Sequence, residues 1–461
     1  MKGRSRIVTV PQFSPQPIKA EPVPQCPALA PNGRNNMHND AYMSDTYTWS
    51  GPLGGRLELG FAALPGLCAT LTFDKLGRII TVCSGVTTAG VSRTLRMLDP
   101  DTLETLTAID LPAGGGGSTG FGGGGYIFLN NKEQAVTPTA NQEIWIVDID
   151  EKKPGFKLAQ RFDLSKVIGH PEASLQSAMP DWSGRIWWVT DTGVVGYTDP
   201  GSGASWAIQL PSPQQIGNSF AVDETGGVFI ASNYAQYRFD VEHTGQLPIV
   251  TWCYSYDRGT RMKPGQQNFG TGTTPTLVGS NYCGITDNAD PMMHVVVYRR
   301  DKDFVGNRIV CEVPVFAPGF SDTENSLIGY TGNFYVENNY GYTGTFTIPT
   351  GPVTPGLARV RFDNTPCPGE KVWENNAIVI PSVVSKLSLA SGLLHSYTLE
   401  IEDKREHWYF SAVDAATGEV AYKALAGTGL AYDNHYASLF IGPNGTVYVP
   451  VWSGIAFMRQ A

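Results

Sequence analysis

The chain has 461 residues, of which 16% are charged and 41% hydrophobic, with a formal net charge of −9. That balance excludes nucleic acid as a default partner, since no Lys/Arg cluster offsets it. No apolar run approaches the ~20 residues of a membrane span, so no membrane partner is expected either. Aromatics at 11%, with 52 Gly and 32 Pro, are the composition of many short strands joined by tight turns.

Residues 1–45 are rich in Pro, Asn and Gln and show little periodicity. They read as a tail that wraps a folded body or stays disordered. The start, MKGRSRIVTVPQFSPQP, is basic but lacks an apolar stretch, so no signal peptide is read. The expectation is a cytoplasmic protein, or an exported one whose signal is absent from this sequence.

From residue 46 to 461 one pattern recurs. A short β-prone run meets a polar or Gly turn, a second β-prone run follows, and more strand material comes after. The units begin CATLTF-DKLG-RIITVC, YIFL-NNKEQ-AVTPT, SAMPDWSG-RIWWVT, SFAVDETG-GVFIAS, TPTLVGSN-YCGITD, SLIGYTG-NFYVEN, SKLSLASG-LLHSYT and ASLFIGPNG-TVYVPV. A period of roughly 42 to 60 residues fits a four-stranded propeller blade with variable loops. Alternation within each unit is the period-2 signature of strands. The fold class is therefore all-β: a single β-propeller of eight four-stranded blades, or of seven if two units merge. The eighth unit stops after its third strand. An open ring would expose two sheet edges, so the run TYTWSGPLGGRLELGFAAL is expected to supply the missing strand and close the last blade.

AVDAATGEVAYKAL, followed by IGPNGTVYVPVWSGIAFM, resembles the repeats of the quinoprotein-like (PQQ-like) eight-bladed propellers. The resemblance is one of fold, and fold does not carry function. Enzymes of that superfamily that bind PQQ imply a vicinal Cys-Cys pair and a repeated tryptophan motif. The seven cysteines include no vicinal pair, and Trp182, Trp187 and Trp188 are bunched in one unit. No bound cofactor is expected.

Local motifs add little. The Gly-rich run from Gly114 to Tyr126 matches a dinucleotide fingerprint at Gly120, Gly122 and Gly125, and a nucleophile elbow at Gly116, Ser118 and Gly120. Both need a helix after the glycines, and YIFL reads as a strand. Cys68 and Cys83 flank one hairpin and face each other, as a disulfide or as two buried thiols. The turn TDNADP sets Asp287 and Asp290 around Asn288, which is ordinary Asx turn chemistry or a calcium site. No His or Cys accompanies them, so no transition metal is expected.

Propeller topology offers a site that no local motif shows. Residues just before each first strand, and just after each second, converge on one mouth of the central channel. Asn218, Thr274, Asn325 and Asn434 come from the starts, and Asp287 and Asn338 from the returns. These are the candidate ligand-binding residues. Glu324, Lys386 and His435 come from three consecutive units and are the candidate catalytic group. A histidine near neutrality suits acid-base work, a lysine stabilises an oxyanion, and a glutamate orients either. The functional expectation is an enzyme acting on a small polar or aromatic molecule by hydrolysis, elimination or group transfer. The alternative is a non-enzymatic propeller that binds a ligand or a protein, or serves as a scaffold.

Overall fold

The computed structural model describes residues 5–88, 90–113, 122–343, 353–362 and 369–461. Among these residues the strands form eight antiparallel sheets of four core strands, and the fold is an eight-bladed β-propeller. Helix is confined to Ser165–Ile168 and one 3-10 turn at Leu430–Tyr432. No helix among the described residues is long and apolar enough to cross a membrane. The fingerprint and elbow readings fall largely on residues 114–121, outside the described residues. The element that follows is the strand Phe128–Leu129, not a helix.

The chain divides into two units. One comprises residues 23–42 and 68–255 and holds blades 1 to 4, whose inner strands are Leu71–Phe73, Phe128–Leu129, Leu175–Pro180 and Ala221–Val222. A recurring turn explains why these hairpins form where they do. The side-chain oxygen Oδ1 of Asp74, Asp181 and Asp223 accepts N–H groups two and four residues ahead. Gly77, Gly184 and Gly226, three residues after each aspartate, take positive φ. Asn130 and Glu133 play the same parts in blade 2. Asx side chains favour this geometry because they hydrogen-bond their own turn. Blades 1 and 2 bury Ile80, Val82, Leu95 and Met97 against Ile127, Leu129 and Val147. Each such side chain contributes about 1.5–3 kcal/mol by leaving water. Cys68 and Cys83 are joined as a disulfide at the first hairpin of blade 1.

The other unit comprises residues 1–22, 43–67 and 256–461 and holds blades 5 to 8. The inner strands of blades 5, 6 and 7 are Thr276–Val278, Ile328–Tyr330 and Lys386–Ser388. Blade 8 is built from both ends of the chain. Gly55–Ala63 pairs with Gly454–Gln460, with Gly60 opposite Phe457, so the early run supplies the strand missing from the eighth unit. Arg6–Val10 then adds a fifth strand outside Gly55–Ala63. The core between blades 5 and 6 is aliphatic and aromatic, with Val295, Val297, Leu327, Phe334 and Val360 buried together.

Inner strands leave one row of backbone groups unpaired, and buried N–H groups demand partners. The N-terminal segment supplies them at blades 1, 2, 4, 6 and 7. In the first unit Phe73 N–H donates to Arg34 O, Leu129 N–H to Asn35 O, and Val222 N–H to Ala41 O, at 2.7–3.0 Å. In the second, Gly329 N–H donates to Ser44 O and Leu387 N–H to Asp45 O, at 2.9 and 3.0 Å. Thr46–Tyr47 pairs in parallel with the inner strand of blade 7. Asn35, Asn39, Ser44 and Asp45 are accordingly buried.

Candidate active site

His435 lies in the loop between the 3-10 turn Leu430–Tyr432 and the inner strand of blade 8, Phe440–Ile441. The loop is shaped by Asp433, whose Oδ1 accepts the His435 N–H at 2.9 Å. His435 and Tyr436 both hold positive φ, 46° and 61°. Two successive non-glycine residues in the left-handed region cost energy that the surrounding contacts must offset. Those contacts are polar and aromatic. The Tyr342 hydroxyl donates to Asp433 Oδ1 at 2.8 Å and stands 3.4 Å from His435 Nδ1. The His435 ring lies 4.9 Å from that of Trp452, and Trp452 N–H donates to Asp433 O at 3.0 Å. The Tyr436 hydroxyl donates to Gly265 O.

Burial decides the charge states. It pushes the Asp433 carboxyl up to about 7, against the opposing pull of the Tyr342 and His435 donors. It pushes the His435 imidazole down to about 4, so this ring is neutral near pH 7. In the tautomer with its proton on Nδ1, the ring donates to Tyr342 Oη, and Tyr342 donates onward to Asp433. The result is an acid-base group that remains half-buried and backed by two hydrogen-bonded partners.

A second group of carboxyls adjoins the loop 257–274. Asp322 is 1% exposed, and neither carboxylate oxygen has a hydrogen-bond partner among the described residues. Burial raises its carboxyl to about 8, against the pull of Lys263 and Arg261. The Glu324 carboxyl is raised well above its ordinary range by burial, although it accepts backbone N–H groups from Gln267 and Asn268. Lys263 donates to Ala289 O at 2.6 Å and stands 3.9 Å from Asp290.

The three residues expected to act together take different partners. His435 has Tyr342 and Asp433, and Glu324 has the 267–268 backbone. Lys386 is wholly buried, and its ammonium is paired with Asp45 and set over the Phe440 ring at 5.6 Å. Its charge is therefore spent on the N-terminal segment rather than offered to a solvent-facing mouth. The cause lies in the segment's own path, since Asp45 arrives at blade 7 with the parallel pairing of Thr46–Tyr47.

The expected binding residues are mostly engaged in structure. Asn325 Nδ2 bridges the Glu337 carboxylate and Val383 O. Asn434 Nδ2 donates to Pro450 O at 2.8 Å. Asn338 Oδ1 accepts the N–H groups of Asp322 and Tyr340, and its Nδ2 donates to Phe320 O. Thr274 is buried, and Asn218 accepts from the Tyr126 hydroxyl at 3.4 Å. Asp287 binds His294 Nδ1 at 2.8 Å and the His294 N–H at 2.6 Å. The groups beside Asp287 and Asp290 are His294, whose imidazole Asp287 raises, and Lys263, 3.9 Å from Asp290. Among the described residues no three His, Cys, Asp or Glu side chains are gathered to hold a metal.

Sequence reasoning missed Tyr342, Asp433 and Asp322. Asp433 flanks His435 in YDNHYAS and was the legible signal. Tyr342, in NNYGYTG, comes from a loop after blade 6's second strand and carries no local mark.

No known family model matches this chain. An uncharacterized protein of Archaeoglobus fulgidus is 26% identical over 490 residues, which span 99% of this chain and 92% of that protein. A europium-containing methanol dehydrogenase superposes with a TM-score of 0.56 at 12% identity, covering 91% of this chain and 89% of that one. A streptogramin B lyase gives 0.45 at 11% identity, covering 88% and 97%. The dehydrogenase likeness shows the fold, and at that level the resemblance to quinoprotein-like eight-bladed propellers holds. The residues do not fit the quinone that the resemblance implies. The chain has no vicinal cysteines, Cys68 pairs with Cys83 inside blade 1, and the inner strands of blades 6 and 7 are occupied by the backbone of residues 44–47.

Proposed function

We propose that the protein is an acid-base enzyme acting on a small molecule beside Trp452, with His435 as the group that moves the proton. The observation that carries this reading is the hydrogen-bonded series Asp433–Tyr342–His435, held at two left-handed, non-glycine residues. Neutral His435 accepts a proton from water or from the substrate. The imidazolium so formed donates from Nδ1 to Tyr342 Oη, and Tyr342 donates to the Asp433 carboxylate. Hydrolysis or elimination both use such a step. The Trp452 ring supplies an apolar wall for an aromatic or compact substrate.

The test is a screen of chromogenic aryl esters, aryl sulfates and lactones with the wild type and His435→Gln. General acid-base catalysis is worth about a hundredfold or more in rate. A loss of that size, with an unchanged circular dichroism spectrum, supports the reading. A substrate turned over equally by both proteins refutes it.

One observation favours a second reading. Within each unit the N-terminal segment pairs with inner strands, those of blades 1, 2 and 4 in one and of blades 6 and 7 in the other, which favours a scaffold. A binding or assembly role would leave every substrate in the screen untouched, and the wild type would recover a partner that does not depend on His435.

A further inference from the structure

The carboxyls around Tyr436 pose a separate question. Native proteins rarely leave a buried acceptor without a donor. Asp322 leaves both oxygens so, and Asp433, wholly buried, leaves Oδ2 so among the described residues. Burial raises both carboxyls toward neutrality, so a cation bound beside them would be the charge that ionises them and turns their orphan oxygens into acceptors for it. They also share one neighbourhood. Asp433 Oδ1 holds the Tyr342 hydroxyl. The Tyr436 hydroxyl binds Gly265 O, and a Cβ added to Gly265 would lie 2.7 Å from Asp322 Oδ1. The φ of Gly265 is +122°, so a side chain there is both strained and in the way.

Aromatic rings surround the same place. The Tyr342 and Tyr436 rings meet edge-on with centroids 5.2 Å apart, the His435 and Tyr436 centroids are 5.7 Å apart, and Trp452 lies 4.9 Å from His435. A metal ion would need three or more converging ligands, and the described residues gather no such set. Rings together with unpaired carboxylates instead match the recognition of organic cations, which draw on the negative faces of aromatic rings. Lys263 and Arg261 lie near enough for their charges to act on Asp322, but neither donates to its oxygens, and the Lys263 ammonium is turned to Ala289 O and Asp290.

We propose that the Asp322–Asp433 carboxylates and the rings of Tyr342, His435, Tyr436 and Trp452 bind a small organic cation, a quaternary or protonated amine. This deepens the proposed function by naming the substrate class at that site, and it rests on that reading for the claim that the cation is a substrate. Binding itself does not need turnover.

The experiment is a titration of the full-length protein with choline and with its neutral carbon isostere, 3,3-dimethylbutan-1-ol, followed by tryptophan fluorescence and calorimetry. Choline should bind at least tenfold more tightly than the isostere. Asp322→Asn and Asp433→Asn, both isosteric, should each weaken choline at least tenfold with unaltered thermal unfolding. Trp452→Phe should keep most of the affinity and Trp452→Ala should lose it. His435→Gln removes one of the four rings, so it should weaken choline by less than either carboxylate variant while it abolishes turnover, and failure of the catalytic reading and failure of the cation site then give different results. Equal binding of choline and isostere overturns the proposal, as does no binding of either. Calcium chloride binding that depends on Asp322, with choline inert, overturns it in favour of a metal.

Discussion

Lys386 and Asp45 form an ion pair with both side chains wholly buried, across 341 residues of chain. The lysine opens the inner strand of blade 7, and the aspartate belongs to the N-terminal segment that pairs with that strand. Ser326 Oγ also donates to Asp45, at 2.7 Å, so one carboxylate ties the segment to two neighbouring blades.

Removing one partner of such a pair leaves a buried charge uncompensated, at a cost of about 3–5 kcal/mol. Lys386→Met should therefore lower stability by that amount in urea unfolding. The double variant Lys386→Met/Asp45→Asn should recover part of it, because no bare charge remains. If the single and double variants are equally unstable, the pair is not what holds the segment.

Asp181 is a second point of leverage, in a different blade. It closes the first hairpin of blade 3 through two N–H groups, and its Oδ2 accepts from Arg185 Nε at 2.6 Å and Trp187 Nε1 at 2.9 Å. Asp181→Ala strands a buried guanidinium and an indole N–H together. The expected loss is about 3–5 kcal/mol, far above the ~0.5 kcal/mol of an ordinary surface change. Asp150→Ala, at an exposed turn, is the comparison, and similar losses for the two would refute the argument.

These examples mark what the sequence made legible. The blade hairpins were readable because strand alternation and the Asp-x-x-Gly turn are local signals, and Asp74, Asp181 and Asp223 carry their own geometry. Closure by Gly55–Ala63 followed from the need to pair an edge. The path of residues 34–47 was not readable, since Asn35 and Asp45 are buried as partners for inner-strand N–H groups and no hydrophobic period marks them. Lys386 illustrates the consequence for the site: its position at the start of an inner strand was legible, and the carboxylate that claims its charge was not. His435 was found by topology alone, while Tyr342 and Asp433 depend on loop contacts between blades.

The Cys68–Cys83 disulfide closes a loop with a sequence separation of 15. A loop of that size restricts the unfolded chain by about 3 kcal/mol. Reduction, or Cys68→Ser/Cys83→Ser, should lower the urea midpoint accordingly without altering the folded spectrum. An unchanged midpoint would show that the bond adds nothing to stability.

His395 supplies a pH dependence. It is 1% exposed, and neither ring nitrogen has a hydrogen-bond partner among the described residues. Burial holds its imidazole down at about 4, against an ordinary 6.5. The unfolded chain therefore binds a proton between those values that the folded chain does not. Stability should fall as pH drops from about 6.5 and level off below about 4, by roughly 3 kcal/mol for this residue. His395→Leu should flatten that limb in part, because His435 is lowered in the same direction. An acid limb equally steep in the variant would exclude His395 as its source.

The last prediction concerns Tyr342, which touches both Asp433 and His435. Tyr342→Phe removes the hydroxyl between them and keeps the ring beside Tyr436. His435 Nδ1 then loses its link through Tyr342 to the carboxylate, and the imidazolium formed during turnover loses that support. Without the donor, the buried Asp433 carboxyl should also ionise less readily, since the Tyr342 hydrogen bond lowers its pKa. The expected result is a fall in kcat of about ten- to a hundredfold, within the range for a group that assists a general base, with KM little changed. Asp433→Asn should produce a similar fall in kcat, with KM raised as well where the substrate is the cation that Asp433 holds, and in kcat the two together should cost little more than either, because both act through His435. If the losses multiply instead, the residues act independently and the series Asp433–Tyr342–His435 is not a working unit.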